Sequence, residues 1–284
     1  MATIAENLQR IQSAKTDIKT AIEAKGVSIP SSATIDTYAT YVSQIVSGDG
    51  IAIPSKLSSA TLDDYGKITS ATIRSGVTSI DDYAFQYCNS LSSITIPDTV
   101  TTIGYDVFGQ CYNLTDVTIP DSVTSIDDYA FQYCNSLTSI TIPDSVTSIG
   151  DGVFFNCQSL SSCTLSSSIT SLEYGVFYNC YNLTSINIPS GVTSIGERAF
   201  IYCFSLTGIT IPSGVTSIEA ECFSYCSNLT GVTVLATTPP TMNYGVFEET
   251  NNCPIYVPAE SLTAYQQAEN WSDYASRIQA IPNS

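Results

Sequence analysis

The sequence has no histidine and few basic residues. It therefore lacks the side chain that most often acts as a general base near neutral pH and that most often binds transition metals. Only 9 lysines and arginines stand against 26 acidic residues, which gives a net charge of −17. Such a chain repels the phosphates of nucleic acids and of anionic lipids, so the charge argues against nucleic-acid binding.

Long apolar runs are absent as well. No stretch approaches the roughly 20 apolar residues that a membrane-spanning helix needs, so we expect no membrane insertion. Residues 1–7 also lack the apolar segment of a secretory signal. We therefore expect the protein to be made and kept in a reducing compartment, such as a host cytoplasm, before it acts.

What the sequence has is a period of 23 residues, which indicates stacked units that each bury an apolar face against their neighbours. Phenylalanine, cysteine and leucine all follow this period. The three series are Phe85, Phe108, Phe131, Phe154, Phe177, Phe200 and Phe223; Cys88, Cys111, Cys134, Cys157, Cys180, Cys203 and Cys226; and Leu91, Leu114, Leu137, Leu160, Leu183, Leu206 and Leu229.

Each unit contains two short runs rich in β-branched residues, exemplified by residues 123–126 and 137–142. Pro143 ends the second run, because proline cannot donate to a sheet ladder. Between the runs, Phe131 and Cys134 have the spacing of one helical turn that faces inward. The pattern predicts an α/β solenoid in which each coil is a strand, a helical turn, a strand and a proline corner.

Seven full coils extend over residues 77–237. In the fourth, Cys163 replaces an isoleucine and Ser166 replaces the corner proline, so we expect a local irregularity there. A degenerate coil precedes the seven, as end coils of a solenoid commonly depart from the consensus. Its residues in the apolar slots are Leu57, Leu62, Tyr65, Ile68 and Ile73.

The repeat L-T-S-I-T-I-P-D-S-V-T-S-I-x-x-x-A-F-x-x-C resembles the BspA-like leucine-rich repeat over residues 54–281. The resemblance implies a repeat array at 54–237 followed by a capping segment at 238–284. Pro239-Pro240-Thr241, Phe247, residues 255–258, Tyr265 and Trp271 resemble the closing segment of such arrays, and residues 278–281 fit its final strand.

Residues 1–47 do not repeat and form a predicted small helical domain, joined to the array by a Gly-rich linker at 48–53. Thr3 and Glu6 have the spacing of a capping box. The domain is too small for a secure core, so we expect its apolar seam to attach to another copy or another protein; the alternative is a cap folded onto the first coil. The seam residues are Ile4, Leu8, Ile11, Ile18 and Ile22.

Residues 4–46 are similar to an N-terminal module of bacteriophage tail and other structural proteins. The similarity lies in A-E-N-L-Q-R-I-x-x-A-K-x-D-I-K-x-A-I-E-A-K-G-V-x-I-P and I-D-x-Y-A-x-Y-V-x-Q-I. It implies a tail- or capsid-associated virion protein whose module binds other virion proteins and whose array faces the host. The resemblance of the repeats leaves a bacterial cell-surface adhesin as the alternative.

No catalytic, phosphate-binding or zinc motif is present, so we expect a non-enzymatic protein without cofactor or bound metal. Adjacent acids such as Asp81-Asp82 and Asp127-Asp128 precede the predicted helical turns, where carboxylates accept hydrogen bonds from unpaired amides. Calcium bridging between coils is the alternative. We expect the cysteine column to hold buried free thiols, because seven stacked residues cannot all pair.

The second strand of each coil carries a column of hydroxyl side chains, from Thr95 to Thr233 and from Ser93 to Ser185. Asp116, Gly208 and Gly231 interrupt the serine column. A solvated sheet face explains the column most simply, and a surface for a regular lattice such as ice or crystalline polysaccharide is the alternative.

Aromatic residues concentrate around the turn of each coil, in slots that vary while the core columns stay constant. Tyrosine offers a rigid apolar face with a hydroxyl, which suits a protein or glycan on a host surface; packing of coil on coil is the alternative. The predicted ligand-binding residues are Tyr83, Tyr87, Tyr105, Tyr112, Tyr129, Tyr133, Tyr174, Tyr178, Tyr181 and Tyr202.

Overall fold

The computed structural model describes residues 57–62 and 67–282. The predicted front domain at 1–47, its seam from Ile4 to Ile22 and the linker at 48–53 lie outside the described residues. Within them, the chain is a parallel β-solenoid with two layers of short strands and a core between the layers. The predicted solenoid of 23-residue coils is confirmed, since Ser125 pairs with Ser148 and Ile126 with Ile149 in the next coil.

The first strand of each coil contributes to one layer, which consists of two four-stranded parallel sheets with the orders β3-β5-β7-β9 and β11-β12-β14-β16. Each of these strands is two residues long, and its second residue is an apolar residue buried in the core. The strands are β3 (Ser79–Ile80), β5 (Thr102–Ile103), β7 (Ser125–Ile126), β9 (Ser148–Ile149), β11 (Ser171–Leu172), β12 (Ser194–Ile195), β14 (Ser217–Ile218) and β16 (Thr241–Met242).

The second strands build the opposite layer, in three sheets with the orders β1-β2-β4-β6, β8-β10 and β13-β15-β17-β18. Buried and outward-facing residues alternate along these strands, as the sequence predicts. The strands are β1 (Leu57–Leu62), β2 (Ile68–Ile73), β4 (Ser93–Thr95), β6 (Asp116–Val117), β8 (Ser139–Thr141), β10 (Ser162–Thr164), β13 (Gly208–Ile211), β15 (Gly231–Val234), β17 (Ile255–Val257) and β18 (Ile278–Ala280).

The prediction of one helical turn in each coil is wrong. The described residues contain one six-residue α-helix, α1 (Leu262–Gln267), and two 3₁₀ segments (Ala259–Ser261 and Trp271–Arg277), all after the last full coil. Between its strands each coil makes consecutive tight turns, so the array is a β-solenoid rather than an α/β solenoid. No helix in the described ranges is long and apolar enough to cross a bilayer.

The residues before the first full coil form a hairpin instead of a coil. β1 pairs antiparallel with β2, so Leu57 lies opposite Ile73 and Leu62 opposite Ile68. Only residues 63–67 separate the two strands, which is too short a connection for the crossover that parallel strands require. β2 continues in the regular register, with Ala71 beside Ile94, and therefore joins the hairpin to the array.

The expected irregularity in the fourth coil is confirmed. The first layer is interrupted after it, because β9 does not pair with β11, whereas the second layer is interrupted twice, between β6 and β8 and after β10. Ser166 is fully buried at the corner, where its hydroxyl donates to the Val146 carbonyl oxygen at 2.6 Å and accepts from the Ser168 amide. The serine thus makes hydrogen bonds at the corner where five of the other six coils have a proline ring.

The phenylalanine column is the centre of the core. All seven rings are fully buried and stack on their neighbours, with centroids 5.0–5.8 Å apart. Phe247 extends the stack into the closing segment at 5.7 Å from Phe223, and the Trp271 ring lies 6.0 Å beyond it. Each ring pair adds about 0.5–1.5 kcal/mol to the stability that burial of its apolar area supplies.

The closing segment ends the column with aromatic rings whose polar atoms are hydrogen-bonded. Trp271 donates from Nε1 to the Pro240 carbonyl oxygen at 2.8 Å, and the Tyr265 hydroxyl donates to the Ala236 carbonyl oxygen at 2.8 Å. β18 pairs parallel with β17 and completes the second layer. These contacts cover apolar surface that would otherwise face water at the end of the array.

All ten cysteines are buried and unpaired, as predicted for the column. The thiol of each column residue from Cys111 onward lies 3.0–3.3 Å from the carbonyl oxygen of the phenylalanine in the preceding coil, as in the pair Cys157 and Phe131. The column therefore fills core volume and supplies an S–H donor to a buried carbonyl oxygen.

Burial raises the pKa of Cys88 and of Cys157 to about 12. Thiols of the unfolded chain ionise near pH 8.5, whereas the folded thiols keep their protons. The unfolding free energy is therefore constant below about pH 8.5 and falls as the pH rises above it. Urea unfolding should give a constant unfolding free energy from pH 7 to about 8.5 and a decline by pH 10. Between pH 7 and pH 10, Cys157→Ala should lose about 2 kcal/mol less unfolding free energy than the wild type, because one titrating thiol is gone. An equal decline in both proteins would contradict this account.

Candidate binding surface

The turns between the two strand layers form a continuous surface along the array. Here alternate amides donate to the next coil, for example Tyr83 to the Tyr105 carbonyl oxygen and Phe85 to that of Val107, both at 2.8 Å. The intervening amides close turns within the coil, as Gln86 does with Tyr83. The backbone that carries the surface side chains is therefore held from both sides.

Two positions in each turn, four residues apart, adopt left-handed backbone with φ near +60°. This geometry ends a right-handed helix and explains why no helical turn forms. The first position holds Tyr83, Asp106, Tyr129, Gly152, Gly175, Arg198 and Glu221; the second holds Tyr87, Gln110, Tyr133, Asn156, Asn179, Tyr202 and Tyr225.

The glycines and asparagines in these positions indicate the left-handed backbone, although tyrosines share the positions. Gly152 and Gly175 share the first position, and Asn156 and Asn179 share the second; these residue types tolerate left-handed backbone best. The tyrosines in the same positions adopt it against their local preference because neighbouring coils fix the hydrogen bonds on both sides.

Seven aromatic side chains make one continuous chain of ring contacts across the seven coils, which we call the aromatic ridge. Neighbouring ring centroids are 4.3–6.3 Å apart, within the range of favourable aromatic contact. The ridge crosses the turns obliquely, since successive rings come from different slots. Its members are Tyr83, Tyr105, Tyr129, Phe155, Tyr178, Tyr202 and Tyr225.

The ridge contains five of the ten predicted binding residues, contacts a sixth directly and reaches a seventh through Phe204. The Tyr133 ring meets Phe155 at 6.0 Å, and the Tyr181 ring meets Phe204 at 5.2 Å, which in turn meets Tyr202. Tyr87, Tyr112 and Tyr174 make no ring contact among the described residues. Tyr174 nevertheless lies close enough to Tyr129 and Tyr178 to contribute to the raised pKa of both.

The three remaining tyrosines differ in their surroundings. Tyr87 is the most exposed of the ten, at 57 %, and the Tyr112 hydroxyl donates to Gln110 Oε1 at 2.8 Å. The hydrogen bond that Arg198 donates to Glu221 is the main cause of its raised pKa, and Tyr174 contributes further. Arg198 also forms ion pairs with Glu197 and Glu221. The one basic residue of the seven coils is therefore paired with acids.

The rings of the ridge pack on one another and still expose part of their surface. Tyr83 and Tyr225 are 40 % and 42 % exposed, whereas the rings between them are half-buried. Partial burial raises the pKa of Tyr105, Tyr129 and Tyr178, with smaller contributions from neighbouring tyrosines and, at Tyr105 and Tyr129, from aspartates. Their hydroxyls therefore keep their protons and remain hydrogen-bond donors at neutral pH.

The acids before the turns accept hydrogen bonds from backbone amides, which was the first of the two interpretations of the sequence. Asp82, Asp128 and Asp151 each accept a hydrogen bond at Oδ1 from a backbone amide of the next coil, at 2.8–3.0 Å. A Cβ on Gly104 would lie 2.6 Å from Asp82 Oδ1, so the glycine leaves room for this carboxylate. No group of three or more potential metal ligands occurs in the described part of the chain, so calcium bridging gains no support.

Asp106 is a buried acid that the sequence did not single out. It is 2 % exposed, and its two carboxylate oxygens accept hydrogen bonds from Gln86 and Gln132 of the adjacent coils. Burial raises its pKa, while the two glutamines lower it. The three side chains tie three coils together beneath the first part of the ridge.

The hydroxyls beside the strands divide into two classes. One class supports the fold, since Thr124 donates to the Thr101 carbonyl oxygen at 3.2 Å and Thr207 to that of Thr184 at 3.3 Å, with equivalent bonds in other coils. The other is the outward column from Thr95 to Thr233, which faces solvent on the second layer.

Comparison with known families gives one match. The family described as BspA type leucine-rich repeat region matches residues 23–138, 55–181 and 124–254, which together cover most of the chain. It is a repeat family and not a family of enzymes. No curated protein gives a significant match.

Solved structures of leucine-rich repeat proteins are similar to this chain. A leucine-rich repeat protein from Bacteroides ovatus is 27 % identical, with a TM-score of 0.54 over 67 % of this chain and 55 % of its own. A leucine-rich cell surface protein from Faecalibacterium prausnitzii is 31 % identical over 64 % of this chain and 65 % of its own, with a TM-score of 0.43. The chain thus spans little more than half of the B. ovatus protein.

The left-handed positions predict a sharp difference between two glycines. At Gly152 φ is +56°, and a Cβ would lie 2.3 Å from Cε1 of Tyr129, so Gly152→Ala should lower the unfolding free energy by about 2 kcal/mol. The control is Gly191→Ala, where the nearest atom to a Cβ is a carbonyl oxygen at 3.5 Å. This variant should match or slightly exceed the wild type in urea unfolding. Equal stabilities of the two variants would contradict the assigned backbone.

Proposed function

The chain belongs to the BspA-type leucine-rich repeat family, and we propose that it is a non-enzymatic bacteriophage virion protein whose array binds a protein or glycan on the host surface. The observation that carries the binding role is the aromatic ridge, which extends over seven coils and presents part of each ring to solvent. Partly exposed aromatic rings are typical anchors of recognition surfaces.

The rigidity of the ridge supports this role. Tyr129 and Tyr202 stand on left-handed backbone whose amides donate to the next coil, and their rings contact neighbours on both sides. A surface ordered before binding loses little conformational entropy when a ligand arrives, so more of the contact energy appears as affinity. The ridge is therefore better suited to recognition than the same rings on a mobile loop.

The charge of the array narrows the choice of partner. Between residues 77 and 237 there are fourteen acidic residues and one basic residue, Arg198, which is paired with Glu197 and Glu221. A neutral or cationic partner fits this surface, whereas a polyanion is repelled at long range.

The virion part of the proposal rests on the similarity of residues 4–46 to a module of phage structural proteins. In this proposal the seam from Ile4 to Ile22 attaches the protein to other virion proteins or to copies of itself, and the array faces outward. The other candidate is a bacterial cell-surface adhesin, which the repeat family favours. Mass spectrometry of purified particles distinguishes them, since absence of the chain from particles would rule out the virion role.

The binding role predicts a loss of affinity when ridge rings are removed without disturbing the backbone. Tyr202→Asn with Tyr225→Asn places asparagine where Asn156 and Asn179 already occur. We expect adsorption of the labelled full-length protein to host cells to weaken by about tenfold or more, while the array stays folded with a loss of about 1–3 kcal/mol from the ring contacts removed.

The matched control is Tyr244→Asn, which removes a 63 %-exposed tyrosine of the closing segment that makes no ring contact with any described residue. It should adsorb like the wild type. Undiminished adsorption of the ridge variant, or an equal loss in the control, would refute the role of the ridge.

A further inference from the structure

The second layer contains a depression where the column of outward hydroxyls is interrupted. It lies over coils five to seven and the start of the closing segment and has a volume of about 620 Å³. Its floor is formed by Gly208 and Gly231, which pair directly in β13 and β15. These two glycines stand in the slot that holds serine in coils one, three, four and five.

Packing does not require the glycine at 208. A Cβ there would have only the Gly231 carbonyl oxygen within reach, at 3.8 Å, and φ at 208 is not positive. The serine of the other coils would therefore fit without strain. Glycine weakens the interior of a strand and often marks the close approach of a ligand, so this position keeps open a space that the fold could fill.

Tyr256 forms one wall of the depression. It pairs with Thr233 in the slot that holds threonine in most coils, and a Cβ on Gly231 would lie 3.2 Å from Cε2 and 3.7 Å from Cδ2 of its ring. The tyrosine ring therefore lies against the backbone of Gly231. The missing side chain at 231 makes room for an aromatic wall on an otherwise hydroxyl-bearing face.

The polar groups around the depression are available for a ligand. The side chains of Asn187, Thr210 and Thr233 line it, and they make no hydrogen bond to any residue that the structure describes. In contrast, the neighbouring Thr230 donates to the Thr207 carbonyl oxygen at 2.7 Å. The depression thus has a floor of glycine backbone, one aromatic wall, and three polar side chains that can form hydrogen bonds with a ligand.

We propose that this depression binds a neutral sugar residue of a glycan. The apolar face of the sugar ring would lie against Tyr256, and its hydroxyls would exchange hydrogen bonds with Asn187, Thr210 and Thr233. This inference names a ligand class and a second site for the proposed binding function, and it rests on that function.

The chemistry of the depression favours a sugar over other ligands. Its lining within the described residues carries no charge, so it offers no partner to an ionic group. It is too polar for a lipid chain, and it lies on a sheet face, whereas peptides that extend a sheet need a free edge. The acidic array disfavours uronic and sialic acids, so the sugar is a neutral one.

The test uses the full-length protein, a panel of immobilised neutral oligosaccharides, and sialylated and uronic acid-containing oligosaccharides for comparison. Gly208→Ser restores the serine of the other coils and fills the floor, and Tyr256→Thr restores the threonine and removes the wall. We expect the wild type to bind at least one neutral glycan and each variant to bind it about tenfold more weakly or worse. Gly208→Ser should keep or raise the melting temperature.

The control is Thr118→Ser, a change on the same face outside the depression, which should bind the glycan like the wild type. Absence of binding to every neutral glycan at about 10 mM, a preference for anionic glycans, or undiminished binding by both variants would overturn the proposal. If host adsorption persists while neutral-glycan binding is absent, the sugar site fails and the proposed function stands. If the wild type does not adsorb to host cells, the proposed function itself fails.

Discussion

The constant spacing of contacts between successive coils is the constraint on which the structure depends. The Phe131 amide donates to the Val153 carbonyl oxygen, and the Cys157 thiol donates to that of Phe131; the same residue separations recur from coil to coil through the middle of the array. Rings, thiols and strands can stack only while this spacing holds. One inserted residue in a middle coil would move its buried side chains out of line with both neighbours, so the uniform period is a requirement of the core.

The 23-residue period made the buried core predictable from the sequence. It did not make the backbone of the turns predictable. Phe131, Cys134 and Leu137 obey one spacing because each packs on its own equivalents, so their burial followed from the sequence. The turn was mistaken for a helix because Phe131 and Cys134 also have helical spacing. The left-handed backbone at Tyr129 and Tyr133 is imposed by the adjacent coils, and only the glycines and asparagines in the same positions indicate it.

The two candidate binding surfaces were also only partly predictable from the sequence. The sequence identified the aromatic slots around the turns as a group, but not the order in which the rings meet. The ridge follows an oblique path through Phe155 to Tyr225 and joins rings from different slots. Gly208 and Gly231 were visible only as gaps in a serine column. Their meaning required the position of Tyr256, whose ring lies over the second of them. The residues that vary from coil to coil therefore form the candidate binding surfaces, while the residues that repeat form the core.

Native-state hydrogen exchange in a middle coil tests most directly whether cross-coil bonding holds the surface rigid. The amides of Tyr129, Phe131 and Tyr133 donate to the next coil at 2.7–3.0 Å, although both tyrosine side chains reach the surface. The account predicts that these three amides exchange only when the whole array unfolds, with the same protection as the buried strand amide of Ile140. Rapid exchange of the turn amides while Ile140 stays protected would show that the turns open independently, and it would contradict the account.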